Sequence, residues 1–82
     1  MFYAYVLKSL SHGTMYIGSA ENPEKRLIEE HNKGGVRYTK GRTPWLIIHK
    51  EGFKTRGEAM SREKFLKSGR GRKLLDQIIS NQ

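Results

Sequence analysis

At 82 residues the chain lies at the small end of the domain range and has room for one hydrophobic core, so it reads as a single domain over 1–82. It has no cysteine, which excludes disulfides, thiolate metal sites and a cysteine nucleophile and suits a reducing, cytoplasmic setting. Sixteen Lys and Arg against eight Asp and Glu give a net charge of +8, thirteen of the basic side chains falling in 33–82, so polyanions, nucleic acid foremost, are the natural partners.

Alternation of Phe2, Ala4 and Val6 with Tyr3, Tyr5 and Leu7 predicts a first strand. Turn residues over Ser9 to Gly13 and the β-prone run Thr14 to Gly18 then predict a hairpin; centred between Leu10 and Ser11, it sets Tyr5 against Tyr16. Asn22 has the character of a helix N-cap, with Pro23 at the first helical position and Glu24 in the first turn, and this helix should end before Gly34-Gly35. A polar, basic loop over Lys33 to Thr43 leads through Pro44 into Trp45-Leu46-Ile47-Ile48-His49, a third strand.

Thr55 and Glu58 form a capping-box pattern that starts a helix running to about Lys67, with Gly69 as its stop. From about Arg72, Leu74, Leu75, Ile78 and Ile79 recur at helical period and predict a last amphipathic helix; Ser68-Gly69-Arg70-Gly71-Arg72 reads as the turn before it. The apolar runs are strand-sized, so no membrane-spanning helix or signal peptide is expected. The order strand, strand, helix, strand, helix, helix predicts a compact α/β (α+β) domain with a small, mostly antiparallel sheet.

Glu63 stands out, because it falls between Ala59 and Leu66 on the helix face that should be buried. A carboxylate there needs a partner, either a metal ion or a cationic side chain such as Arg. His31 lies near the end of the first helix, where a cation complements the dipole and where phosphate contact or proton donation is open to it. His12 and His49 show no ligand spacing with it. Tyr38, Lys40 and Arg42 place an aromatic ring between cations on the loop, a composition suited to holding a nucleic-acid backbone and stacking a base. Gly18 either admits a close approach of backbone or substrate, or marks a bulge.

Tyr3-Ala4-Tyr5, Tyr16-Ile17-Gly18 beginning eleven residues after Tyr5, Glu24-Lys25-Arg26 and Glu63 occur in the order that resembles the GIY-YIG nuclease family. The likeness continues through Tyr38 to Trp45 and Ser61 to Gly69, as in small stand-alone members related to the excision-repair nuclease catalytic domain. It implies a three-stranded antiparallel sheet flanked by helices, with both tyrosines on the hairpin. It also implies a metal-dependent endonuclease acting on phosphodiester bonds, of DNA foremost, in repair or recombination. Glu63 would hold one divalent ion, Mg²⁺ or Mn²⁺; Arg26 would stabilise the phosphate; a tyrosine would activate the water, Tyr16 first and Tyr5 as the close alternative. Because a free phenol has a pKa of about 10, cationic neighbours or a water relay must assist it.

The chain departs from the pattern at Tyr3 and Ala4, at Ser19 where the repair enzymes carry a lysine, and at His31, five residues after Arg26 where four are expected. Two rival readings remain: a non-catalytic nucleic-acid-binding module, and a protein-interaction domain using the exposed face of the last helix. No membrane partner is expected, and the oligomeric state is open with a monomer as default.

Overall fold

The computed structural model describes residues 1–32 and 40–80. Among them the elements are β1 (Phe2–Ser9), β2 (Met15–Ala20), α1 (Pro23–Arg26) continued by a π-helical turn (Leu27–His31), β3 (Trp45–Phe53), α2 (Arg56–Lys67) and α3 (Gly69–Ser80). The strands form one antiparallel sheet in the order β2-β1-β3, so the domain is the α+β architecture that the sequence implied.

The central place of β1 follows from its composition: Ala4, Tyr5, Val6 and Leu7 are all fully buried, which requires cover on both faces. On one face Val6 packs with Ile17, Leu66 and Leu75, under α2 and α3. On the other Tyr5 and Leu7 pack with Trp45, Tyr16 and Leu27. A register shift at Val6/Leu7, paired with His49 and Ile47, leaves Ile48 as the extra residue, and its side chain packs on the first cluster.

The hairpin register differs from the expected one. Tyr5 faces Gly18, and Leu7 faces Tyr16, two residues further along than a turn centred on Leu10-Ser11 would give. The turn sets this: Ser9 N donates to Thr14 O and Gly13 N to Ser9 O, each at 2.9 Å, with Gly13 at φ +71°. Opposite Tyr5, a Cβ on Gly18 would lie 2.7 Å from the phenolic oxygen, so only glycine lets the ring cross that strand. Because a slip of two preserves the alternation of faces, Tyr5 and Tyr16 still share one face, as diagonal neighbours.

The Asn22 side chain accepts from Lys25 N at 3.1 Å, the cap expected for α1. The Thr55–Glu58 capping box is formed in both directions at 3.2 Å. From α2, Arg62 Nε donates to Glu51 on β3 at 2.7 Å, while Glu63 accepts from Ser19 on β2 at 2.7 Å. Consecutive residues therefore tie α2 to both edge strands and fix its rotation over the sheet.

Gly69 opens α3 rather than only stopping α2. Ser68 serves both helices, its hydroxyl donating to Phe65 O at 2.6 Å and accepting from Gly71 N at 3.2 Å. The connection is this tight because Gly71 lies against the last turn of α2.

Candidate active site

Three elements bring three rings together. The sheet supplies Tyr5 and Tyr16, with ring centroids 6.4 Å apart, and the π turn supplies His31, at 5.9 Å from the first and 4.8 Å from the second. Tyr5 Oη and His31 Nε2 are 2.9 Å apart, and both residues are fully buried. The five-residue spacing from Arg26 is accommodated by the wide turn, closed by Asn32 N donating to Leu27 O at 2.9 Å across five positions. Asn32 then docks this segment on β3, its Oδ1 accepting from Trp45 N at 2.7 Å.

Burial, reinforced by the neighbouring Tyr16, Glu63 and Glu30, holds the Tyr5 phenol above its ordinary value against the opposing pull of Arg26, so Tyr5 stays protonated. Burial and then the Arg26 guanidinium hold His31 below its ordinary value, with Glu30 opposing, so the pair is neutral near pH 7. The unfolded chain, whose histidines titrate at about 6.5, therefore binds a proton that the folded protein resists, and stability should fall as pH drops from about 6.5 through the lower folded value. Thermal melts across that range should show this loss in the wild type and a smaller one in His31→Gln.

Arg26 and Glu63 complete the group. Arg26 Nε lies 2.9 Å from Glu30 Oε2, four residues on, but it is buried without a properly oriented hydrogen bond. Glu63 is half-buried, its side chain 23% exposed, with Oε1 taken by the Ser19 hydroxyl and Oε2 by Lys67 Nζ at 2.7 Å. The cation beside Glu63 is thus lysine rather than the arginine that burial alone suggested. Both partners of Glu63 are exchangeable, a hydroxyl and an ammonium on a 52%-exposed side chain.

No cluster of three or more His, Asp or Glu side chains suited to a metal occurs among the described residues. A lone carboxylate with displaceable partners still fits a hard, oxygen-preferring ion that draws most of its ligands from water and substrate, as Mg²⁺ does.

The family model of the GIY-YIG catalytic domain matches residues 1–75. The chain belongs to the GIY-YIG catalytic domain family. A UPF0213 protein of Staphylococcus saprophyticus is 38% identical to it over 76 residues, covering 93% of this chain and 92% of its own. One from Clostridium perfringens is 42% identical over 84 residues, covering 100% and 86%. The solution NMR structure of a UPF0213 protein from Bacillus halodurans superposes with a TM-score of 0.55 at 28% identity, over 95% of this chain and 85% of that one. The family points to a nuclease-type hydrolase, generally metal-dependent, acting on nucleic acid; the relatives' names add no reaction. No helix among the described residues is long and apolar enough to cross a membrane.

In this GIY-YIG domain Tyr5, Tyr16 and His31 pack ring on ring, with Gly18 beneath the Tyr5 ring, while Arg26 and Glu63 act on the Tyr5 phenol electrostatically and Glu63 reaches β2 through Ser19. The loop residues are placed differently. Lys40 is exposed, and the Arg42 carbonyl accepts from the Ser9 hydroxyl at 2.5 Å, at the far end of β1 from Tyr5. Tyr38 lies outside the described residues. His12 bonds Ser11 and His49 bonds Glu51, each apart from His31.

Sequence reasoning passed over Lys67, Glu30 and Asn32. The first two stand four residues from Glu63 and Arg26, the helical spacing at which opposite charges meet. Position 19 supplies a hydroxyl to Glu63, and the ammonium beside that carboxylate comes from Lys67.

Proposed function

We propose that the domain is a metal-dependent endonuclease that hydrolyses phosphodiester bonds, with DNA as its substrate in repair or recombination, working as a single-domain cytoplasmic monomer. What supports the reading most is convergence: Tyr16 from β2 packs on the buried Tyr5–His31 pair, and Arg26 from α1 and Glu63 from α2 lie near enough to act on the Tyr5 phenol electrostatically, on a protein of net charge +8.

Glu63 is the residue to hold one divalent ion, Mg²⁺ or Mn²⁺, which when bound supplies Lewis-acid stabilisation of the phosphoryl and leaving oxygens. Arg26 turns from Glu30 to the scissile phosphate, its planar fork meeting two oxygens as negative charge develops. Tyr16 takes the proton of the attacking water as its own phenolic proton passes to bulk water, an exchange open to it because it is only half-buried and lines an open hollow beside Lys67. Tyr5 is too deeply buried and too firmly protonated for that task, and with His31 it holds the Tyr16 ring in place. Lys40, Arg42 and Tyr38 remain candidates for contact with the substrate backbone.

The test is incubation of the protein with labelled single-stranded, duplex, flap and junction DNA and with RNA, in Mg²⁺, Mn²⁺ or EDTA. Cleavage in the metal lanes alone supports the reading. Salt-sensitive binding without cleavage of any substrate replaces it with a binding module. Within the active protein, Tyr16→Phe should slow single-turnover cleavage by about 10²–10⁴-fold with little change in binding. Tyr5→Phe should slow it less and instead lower stability, by about 1–2 kcal/mol for the buried partner left on His31. The opposite ranking reassigns the base to Tyr5.

A further inference from the structure

The hollow that Tyr16 lines has a volume of about 280 Å³ and extends well beyond that ring, its other walls being Met15 and Ile17 of β2, Lys67 at the end of α2 and Arg72 in the first turn of α3, none of which has a part in the chemistry above. Its character is distinct from that of its surroundings. Among the described residues two cations face it and no carboxylate lines it, and its floor is an apolar strand segment. It is continuous with the reaction centre, because Tyr16 forms part of its wall and the Lys67 ammonium stands 2.7 Å from Glu63. On the α1 side of the site the corresponding hollow, of about 480 Å³, is lined by Glu21, Glu29 and Glu30 together with Lys25 and Arg26. Among the described residues carboxylates outnumber cations there three to two, while the α2–α3 hollow presents cations alone, so the two sides of the site are electrostatically unlike.

We propose that the hollow at the α2–α3 junction is a second phosphate subsite that holds the nucleotide next to the scissile bond, Lys67 and Arg72 gripping its phosphate and Met15 and Ile17 giving its sugar and base an apolar wall. The substrate strand then leaves the reaction centre over α2 and α3 and not over α1. This rests on the nuclease reading for the identity of the reacting bond, though the binding it describes is measurable without cleavage. Arg72 is well placed for the task because Gly71, one residue before it, lies against the Phe65 carbonyl, where a Cβ would be 1.9 Å away, so the first turn of α3 sits directly on the end of α2 that carries Lys67. Lys67 reaches both the hollow and Glu63, so a phosphate in the subsite competes with that carboxylate for its ammonium.

The experiment is fluorescence anisotropy of a labelled single-stranded oligonucleotide in EDTA, over a series of salt concentrations. It compares the wild type with Lys67→Ala/Arg72→Ala and with Lys25→Ala/Lys54→Ala, a control that removes equal charge elsewhere. The first double variant should bind at least tenfold more weakly and reduce the slope of log affinity against log salt by about 0.7, the share of one phosphate on a single strand. The control should change affinity less than threefold. Thermal melts accompany both, and Lys67→Gln/Arg72→Gln replaces the first pair if it folds poorly. Equal losses in the two variants, or no loss in either, overturn the subsite. A selective loss in a protein that cleaves nothing leaves the subsite standing while the nuclease reading falls; cleavage by the wild type with no selective loss does the reverse.

Discussion

Glu63→Gln is expected to lower metal-dependent cleavage by about 10³-fold or more while the fold persists. Glutamine keeps the size and one carbonyl oxygen, so Ser19 can still donate to it. What disappears is the negative charge, and among the described residues no cluster of His, Asp or Glu exists to take over an ion. The lost ion pair with Lys67 is half-exposed and contributes about 0.2–1 kcal/mol, so the melting temperature should move by only a few degrees. Single-turnover cleavage in Mg²⁺ and Mn²⁺, with a thermal melt beside it, separates the two effects. Undiminished cleavage by a folded Glu63→Gln protein would remove this carboxylate from the chemistry. Loss of the fold would instead make Glu63 a structural ion-pair residue.

Gly71→Ala is the substitution expected to cost most in stability, about 3 kcal/mol or more. The added methyl group would sit 1.9 Å from Phe65 O and 2.6 Å from Leu66 Cα, both backbone atoms that no side-chain rotation can clear. Either α3 must lift from α2, opening the cluster that Leu66 and Leu75 share with Val6, or the Ser68 hydrogen bonds that join the helices must break. Elsewhere in a helix the same change favours alanine by about 0.5–1 kcal/mol, so the sign of the effect is itself diagnostic. Chemical denaturation of the two proteins decides it, and a variant as stable as the wild type would mean the helices do not approach this closely.

Much of this molecule was legible because local signals and the global fold agree. The alternation in β1, Asn22 with Pro23, and the Thr55–Glu58 pair each act over a few residues, and each forms the element it announces. The ordered Tyr5, Tyr16, Arg26 and Glu63 marked a candidate site, and the fold packs the two tyrosines on one sheet face with the two charged groups near enough to act on the Tyr5 phenol. What stayed hidden depends on contacts between elements. The hairpin register was set by a turn through Gly13 and by the need of the Tyr5 ring for a bare position opposite, and counting to a turn centre captures neither. Gly69 and Gly71 looked like breakers because glycine weakens an isolated helix; only the backbone of α2 shows why the second must lack a side chain. The partners of Glu63 and Arg26 were visible as helical neighbours, but a charge pair at that spacing is usually a surface ornament of a helix, and nothing local said that these two stand at a candidate site.

The turn at Leu27–His31 bears on how segment length relates to position. In an ordinary helix an added residue advances everything beyond it by about 100° around the axis, which would swing the imidazole away from Tyr5. Here one loop of backbone widens, closed from Asn32 N to Leu27 O at 2.9 Å, and the His31 imidazole meets the Tyr5 phenol at 2.9 Å. A turn of that width places the imidazole by its contacts with the sheet-borne phenols and not by the regular pitch of the helix before it.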